Sequence, residues 1–300
     1  MGWAPLAVLS AALFGMASFL VKLVVGRQVP NPRTFYLITG VLNMLIGMFA
    51  LLVWPLAPGA SLVAVVQAAA AGLVQSAGLM LFWLALRTEE VSRVDPITQT
   101  FPIFVAILAS TFLGESLGPR EWSGILATVA GAVLISARRM PGGEVLLSRP
   151  LLLLGIASLS TAVAQTLSKP ALSELSKWNV LGIFFPCLSV GFFTVSLRRS
   201  CLQEAYAIVS EKPRSLLWVG SQAAVGLAAV LFQFAAIAVG PVSLVSTVIA
   251  TRPFFVFVWA MLSSWLTPHL LREPLSPRIL AVKLAAIAMI VGGGASVSLR

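Results

Sequence analysis

Residues 242–266 read VSLVSTVIATRPFFVFVWAMLSSWL, an apolar run whose only charged member is Arg252. The hydrocarbon core of a bilayer is about 30 Å thick, and a helix of about 20 apolar residues crosses it. Backbone N–H and C=O groups find no water there, which rules out an open sheet. The run therefore predicts a membrane-spanning helix with one positive charge near its middle.

Similar runs recur along the whole chain. Of the 300 residues, 59% are hydrophobic and only 10% charged, and mean hydropathy is +0.98, whereas soluble domains carry about 25% charged residues. A membrane β-barrel would show short alternating segments, but these runs are continuous. We expect an all-α integral membrane protein with ten spans, at about 3–25, 34–54, 61–86, 95–114, 120–137, 150–172, 178–197, 215–239, 242–266 and 278–298.

Little chain is left outside these spans. The longest polar stretch, Arg198 to Arg214, is too short to form a second domain. The N-terminal run lacks a basic leading segment, so we expect a first span rather than a removable signal peptide. Tryptophans mark the span ends, where an indole keeps its N–H near water; they are Trp3, Trp54, Trp122, Trp178, Trp218 and Trp265. Trp83 and Trp259 lie deeper, and packing is the favoured interpretation of both.

An internal repeat organises the chain. Val91–Val94 precede Phe101-Pro102-Ile103-Phe104 at the same spacing that separates Val242–Val245 from Arg252-Pro253-Phe254-Phe255. In the first copy these segments are followed by Gly114-Glu115, and in the second copy by Arg272-Glu273. A last Gly-rich span follows in both copies. With five spans per half, the second copy enters the membrane from the opposite side. The sequence thus predicts two inverted five-helix repeats, at 1–140 and 150–300.

These features resemble the drug/metabolite transporter superfamily in its ten-helix EamA-like form. The similar segments are Glu115-Ser116-Leu117 and Glu273-Pro274-Leu275, together with Lys22 and the proline-bearing fourth and ninth spans. The resemblance implies a central cavity lined mainly by spans 1, 3, 4, 6, 8 and 9, with spans 5 and 10 at the periphery. It also implies transport of a solute across the membrane, with export favoured by analogy alone.

Basic residues inside the spans are the leading candidates for a substrate site, because a charge in the hydrocarbon region points to function or pairing. Arg252 lies about the middle of span 9, where its guanidinium could hold a carboxylate or phosphate in two parallel hydrogen bonds. A brace to helix carbonyls is the alternative. Lys22 and Lys169 close spans 1 and 6 at matched positions, and for them the alternative is snorkelling to the headgroups. Lys283 lies in the peripheral span 10, where snorkelling is favoured.

Polar and small residues complete the candidate set. Gln99, Thr100 and Thr251 flank the paired prolines, and Gln165 lies in span 6; interhelical hydrogen bonding is the alternative for each. Pro102 and Pro253 are predicted to kink their helices and to act as hinges for alternating access, with a purely structural kink as the alternative. Small faces on spans 5 and 10 predict close helix packing inside the molecule; they contain Gly124, Gly131 and Gly292–Gly294.

Several function classes find no support in the sequence. The single histidine, His269, falls in a loop, and no nucleophile, phosphate-loop, metal or cofactor motif is present, so we expect neither an enzyme nor a bound metal or cofactor. Net charge is +10, but the basic residues stand between apolar runs rather than in patches, which argues against nucleic acid. Asp95, Glu115 and Glu273 fall near span ends, where loop solvation or helix capping explains them.

The leading hypothesis is a secondary transporter of a small anionic or zwitterionic metabolite, such as an amino acid, organic acid or phosphate ester. The alternatives are a carrier of a larger amphipathic or lipid-linked substrate and a membrane scaffold that does not transport. We expect the cell membrane, the inner membrane of a bacterium, as the location and the lipid bilayer as a partner. Most loop lysines and arginines fall on one face, which the positive-inside rule assigns to the cytoplasm, with both termini outside. The family resemblance implies the opposite orientation, with both termini inside. Proton or ion coupling and the choice between monomer and homodimer stay open.

Overall fold

The structure is a computed structural model that describes residues 2–24, 29, 31–85, 98–136, 149–211, 213–266 and 277–298. Within these residues nearly every segment is helical. The helices, in chain order, are α1 (Trp3–Val24), α2 (Pro32–Val53), α3 (Leu62–Ala85), α4 (Phe101–Phe112), α5 (Pro119–Ser136), α6 (Arg149–Glu174), α7 (Lys177–Ser196), α8 (Arg199–Glu211), α9 (Pro213–Val239), α10 (Val242–Ile249), α11 (Arg252–Leu266) and α12 (Pro277–Ser298).

Six segments of the described chain are long and apolar enough to cross a membrane: Trp3–Val21, Pro32–Val53, Leu62–Phe82, Lys177–Ser196, Ser215–Val239 and Val242–Leu262. They coincide with six of the ten predicted spans. The other four are helical where they are described, but α4 has only 12 residues and α6 carries Gln165 and Lys169 among several serines and threonines. The count of ten, and the inversion of the two halves, stay predictions.

Local sequence explains where the best-defined helices begin. At the start of α2, Asn31 Oδ1 accepts the Arg33 N–H at 3.0 Å, and Pro32 supplies a first residue that needs no N–H partner. Ser176 caps α7 by accepting the Asn179 N–H at 3.2 Å. Trp54 and Trp178 were predicted to lie near span ends, and they lie at the end of α2 and the start of α7. Their rings stack with centroids 4.5 Å apart.

Long-range packing joins helices from opposite halves of the chain. In the described residues α3 packs on α6 and α7, α2 on α7, α1 on α9 and α11, α4 on α6 and α10, and α5 on α12. The main buried cluster runs through these contacts and includes Phe101, Leu181, Phe184 and Ile237. Leu45, Phe49 and Leu52 of α2 are instead 58%, 63% and 80% exposed. Such an apolar outer surface suits a hydrocarbon solvent.

The α5–α12 contact is close because glycines line it. A Cβ on Gly131 would lie 2.8 Å from the Ala286 carbonyl oxygen, and one on Gly293 would lie 2.7 Å from the Gly124 carbonyl oxygen. These glycines confirm the prediction that small residues here serve packing within the chain. Gly292 faces open space, and Gly294 lies near the Thr251 methyl group at 3.7 Å.

One helix was not predicted. The stretch from Arg198 to Arg214 was identified only as polar and too short for a second domain, and within it Arg199–Glu211 form α8. This polar stretch contains an apolar spacing at Cys201, Ala205 and Ile208. Cys201 is buried, and Ala205 and Ile208 pack with residues of α1, α2 and α9.

Candidate functional site

The predicted ninth span is interrupted rather than kinked. α10 ends at Ile249, and α11 begins at Arg252, with Ala250 and Thr251 forming a turn between them. The Thr251 N–H donates to the Val248 carbonyl at 3.1 Å, and the Phe254 N–H donates to the Thr251 carbonyl at 2.9 Å. In secondary transporters, helices broken in this way expose polar backbone ends near the midplane of the bilayer.

Both predicted hinge prolines lie in the first turn of a helix. Pro253 is the second residue of α11, and Pro102 is the second residue of α4, whose first turn closes through the Ile103 N–H and the Thr100 carbonyl at 3.1 Å. A first-turn proline lacks an N–H that would have no intrahelical partner in any case. The expected mid-helix kink is therefore replaced in each half by the start of a helix.

Arg252 occupies the first position of α11 and is half-buried. Thr251, directly before it, is buried, and its hydroxyl donates to the Val248 carbonyl at 2.6 Å. α11 is fixed against α1, since the Trp259 indole N–H donates to the Ala12 carbonyl at 3.1 Å. That bond is compatible with the packing interpretation of Trp259.

Gln165 of α6 meets α10. Its side-chain oxygen lies 2.5 Å from the Ser246 hydroxyl, which is also 2.6 Å from the Val242 carbonyl of its own helix. Both side chains are buried. The predicted lining residue of α6 is thus at the surface of the interrupted helix, and Ser246 joins it as a polar neighbour that the sequence analysis did not single out.

Lys169 lies one turn after Gln165 and binds the end of α9. Its ammonium donates to the Ile237 carbonyl at 2.7 Å and to the Gly240 carbonyl at 2.9 Å, with the Ala238 carbonyl at 3.5 Å. These carbonyls terminate a helix, where the dipole is negative. The geometry agrees with a brace for α9, and the ammonium stays on the side of α6 that faces α10.

Glu115 binds the start of α10. Its carboxylate accepts the Val242 N–H at 2.6 Å, the Ser243 N–H at 3.2 Å and the Ser243 hydroxyl. Helix capping was one of the two interpretations offered for this residue, and the described structure selects it. Lys169 and Glu115 therefore hold the two sides of the turn at Gly240 and Pro241, which we call the 240–241 junction.

The remaining predicted residues divide into two groups. Gln99 is 4% exposed and Thr100 is half-buried, both directly before α4, at the place that Thr251 occupies before α11. Lys22 belongs to α1, but its side chain lies outside the described residues, as does that of Lys283. Also outside them are the repeat segment 91–94, Asp95, His269 and Glu273.

No local signal in the sequence could have revealed the partners of Glu115 and Lys169. The Val242 N–H lies 127 positions from Glu115, and the Gly240 carbonyl lies 71 positions from Lys169. The Gly-Pro pair at 240–241 indicates a turn followed by a helix start. Which side chains would satisfy those helix ends depends on the packing of distant helices.

Comparisons with known proteins agree with this architecture. Residues 1–137 match the EamA-like transporter family. An uncharacterized transporter in the cobO 3' region of a Sinorhizobium species is 34% identical over 68 residues, which are 23% of this chain and 48% of that relative, so the chain spans about half the length of the curated relative. A solved structure, described as the crystal structure of a protein, has a TM-score of 0.69 at 17% identity and covers 99% of this chain and 96% of its own. That likeness shows a shared fold.

Proposed function

We propose that this chain is a secondary transporter of the drug/metabolite transporter superfamily in the cell membrane, which the match of residues 1–137 to the EamA-like transporter family and the transporter relative support. Its substrate is a small anionic or zwitterionic metabolite such as an amino acid, an organic acid or a phosphate ester. The substrate binds between two halves, residues 1–140 and 150–300, that open in turn to each side of the membrane. Export is the direction favoured by analogy.

The observation that carries the proposal is the position of Arg252 at the break between α10 and α11. In transporters the N-terminal ends of broken helices point at anionic substrate groups, because their backbone N–H groups carry partial positive charge. A guanidinium on the first residue of such a half-helix adds a full charge and a planar pair of donors. A carboxylate or phosphate is the chemistry that matches both.

Helix packing supports two inverted repeats. Matched in chain order, α1 corresponds to α6, α3 corresponds to α9, and α4 corresponds to α10 and α11 together. The α3–α6 contact then corresponds to the α9–α1 contact. The packing of α4 on α6 corresponds to the packing of α10 and α11 on α1. The pairs α2–α7 and α5–α12 each join a helix to its own counterpart. A two-fold axis through the molecule produces this pattern, with the ninth span contributed by α10 and α11 together. Ten spans follow if α4, α5, α6 and α12 also cross.

The other site residues are assigned by their position relative to Arg252. Thr251 adjoins it, and Gln165 reaches α10 through Ser246. Gln99 and Thr100 occupy the matching place before α4, which packs on both α6 and α10. Lys169 adds positive charge beside the 240–241 junction, and Lys22 is its counterpart in the first half by sequence position. Pro102 and Pro253 set the hinges at the starts of α4 and α11.

The proposal is tested by comparing Arg252→Gln with Arg120→Gln, whose arginine is exposed at the start of α5. Purified proteins in liposomes are assayed for flux of labelled metabolites that the unsubstituted protein moves. Losing a buried charged contact costs about 2–5 kcal/mol, so Arg252→Gln should reduce substrate affinity roughly 30-fold or more, while Arg120→Gln keeps full flux.

Equal flux in both variants would remove Arg252 from the site. A protein that moves none of the metabolites and carries no water to Arg252 would instead be a membrane scaffold. Flux confined to amphipathic or lipid-linked compounds would replace the substrate class and keep the carrier mechanism.

A further inference from the structure

α8 lies at the level where a membrane-crossing helix begins. Its Glu204 carboxylate accepts the Thr34 hydroxyl at 2.6 Å and the Asn31 N–H at 3.3 Å, and the Asn31 side-chain amide is 3.8 Å from the Cys201 sulfur. Asn31 and Thr34 belong to the cap and first turn of α2, one of the six candidate spans. α8 is therefore joined to the end of a span, which is the depth of the lipid headgroups.

Three different surfaces run along α8. Cys201 and Ile208 are buried, and Ile208 packs, with Ala205, in the cluster that contains Phe35 and Val219. Leu202, Tyr206 and Val209 form an apolar stripe that is 48%, 76% and 54% exposed. The third surface is polar and exposed, and it contains Gln203, Ser210 and Glu211.

The order of these surfaces around the helix follows from its geometry. At about 100° per residue, the stripe is rotated by roughly 100° from the buried surface and by about 90° from Gln203. α8 therefore has three successive sides: one buried against the protein, one apolar and exposed, and one polar and exposed. A helix that only connected two spans through water would expose polar residues on both free sides.

Positive charge flanks the apolar stripe. Arg198 and Arg199 are exposed at the start of α8, and the sequence continues with Lys212 and Arg214 directly after it. Glu204 is occupied by Thr34 and Asn31, which leaves Glu211 as the one exposed acid of the helix. Amphipathic helices with basic flanks bind the surface of anionic membranes, where each Lys or Arg adds a favourable contact.

We propose that α8 is a membrane-surface binding element for anionic phospholipids. The stripe of Leu202, Tyr206 and Val209 inserts beside the acyl chains, and Arg198 and Arg199 bind the headgroup phosphates of the same leaflet. Tyrosine suits this depth, because its ring is apolar and its hydroxyl reaches water. The element is separate from Arg252 and does not depend on what the protein transports.

The test places an environment-sensitive fluorophore (NBD) on the full-length protein through Tyr206→Cys or, as the matched control on the polar surface, Gln203→Cys. The native thiols give low background because Cys201 is buried and Cys187 is partly buried, and the unsubstituted protein measures that background. Each protein is placed in liposomes of phosphatidylcholine and phosphatidylglycerol. In one set of liposomes the phosphatidylcholine carries a nitroxide quencher near its headgroup. In the other set the phosphatidylglycerol carries it.

The expected result is a blue-shifted emission at position 206 that is quenched more strongly by the labelled phosphatidylglycerol, with position 203 water-like and weakly quenched. Adding Arg198→Gln and Arg199→Gln should lower the preference for the anionic lipid by roughly fivefold per arginine. Unchanged thermal unfolding shows that the variants are folded.

Three results would overturn the proposal. Water-like emission at both positions would place the stripe in solvent. A blue shift at 206 without lipid quenching would mean that a protein surface, such as a second copy of the chain, covers the stripe. If both labelled lipids quench equally, and the arginine substitutions do not change the quenching, the headgroup charge is not recognised.

Discussion

At the scale of single residues, the 240–241 junction shows how opposite charges are used at helix ends. Glu115 lies at the N-terminal end of α10, and Lys169 lies at the C-terminal end of α9. Each side chain faces the helix end whose dipole it complements, and each satisfies backbone groups that a turn leaves without helical partners. Both side chains are distant in the chain from the junction, which therefore connects α6 and the segment after α4 to the turn between α9 and α10.

Glu115→Gln should lower stability, because an amide presents one acceptor oxygen where the carboxylate presents two. Loss of a helix cap costs about 0.5–2 kcal/mol. Thermal unfolding in detergent measures the change. Glu174→Gln is the control, since Glu174 is exposed at the end of α6, and its variant should unfold at the temperature of the unsubstituted protein. Identical behaviour of the two variants would contradict the capping role.

Lys169→Met should also destabilise, because the carbonyls of Ile237 and Gly240 lose their donor. Since Lys169 and Glu115 hold one turn, the double variant should lose less than the sum of the two single losses, by about 0.5–3 kcal/mol. A double-mutant cycle on unfolding free energies provides the measurement. Strict additivity would show that the two ends of the junction act independently.

The sequence predicted the residues of the interrupted helix better than its shape. Arg252, Thr251 and Pro253 were singled out because a charge and a proline are conspicuous in an apolar run. A proline within a kinked helix and a proline in the first turn of a new helix give the same sequence pattern, a proline inside an apolar run. Only the turn at Ala250 and Thr251 distinguishes them, and that turn carries neither glycine nor asparagine.

At the scale of helices, glycine sets how closely α5 and α12 approach. Gly131→Ala should destabilise, since its Cβ would meet backbone atoms of Ala286 and Ile290 at 2.8 and 2.9 Å and overpacking costs about 1–3 kcal/mol. Gly292→Ala is the matched control on the partner helix, where no atom lies within 4 Å. Its unfolding temperature should stay the same or rise slightly. Equal loss in both variants would contradict the close contact.

α8 shows where a prediction from composition failed at this scale. Residues 198–214 were judged by their charge, and the spacing of Cys201, Ala205 and Ile208 was overlooked. That spacing of four and three residues is the signal of an amphipathic helix. The boundaries of α1, α2 and α3, by contrast, agree with the predicted spans to within about two residues, because long apolar runs leave few alternatives in a bilayer.

At the scale of the whole molecule, a substrate that binds the folded state should raise its stability. A ligand present at about 100 times its dissociation constant adds about 2.7 kcal/mol. A thermal-unfolding screen of the purified protein against anionic, zwitterionic and cationic metabolites should give its largest shifts with the first two classes. The shifts should vanish in Arg252→Gln and persist in Arg120→Gln. Stabilisation by cations alone would overturn the assigned substrate class.

The plan of two halves was predictable because the matching segments recur in order, whereas the contacts between halves were not. The repeat relates Phe101-Pro102 to Arg252-Pro253 by sequence, yet it does not say that α3 packs on α6 or that α5 packs on α12. Those pairings follow from the way all helices fill one volume. Glu115, whose carboxylate connects the first half to Val242 and Ser243 of the second, was visible only as a polar residue without an assigned partner.

The seam between α5 and α12 has a consequence for biosynthesis. Helices enter the membrane in the order of translation, so α5 is inserted long before its glycine-lined partner surface exists. Until α12 arrives, the seam of Gly124 and Gly131 must rest on lipid or on the matching seam of another nascent molecule. Ribosome-tethered intermediates arrested ahead of residue 277 should therefore be the stage at which this protein is most readily captured by insertion chaperones.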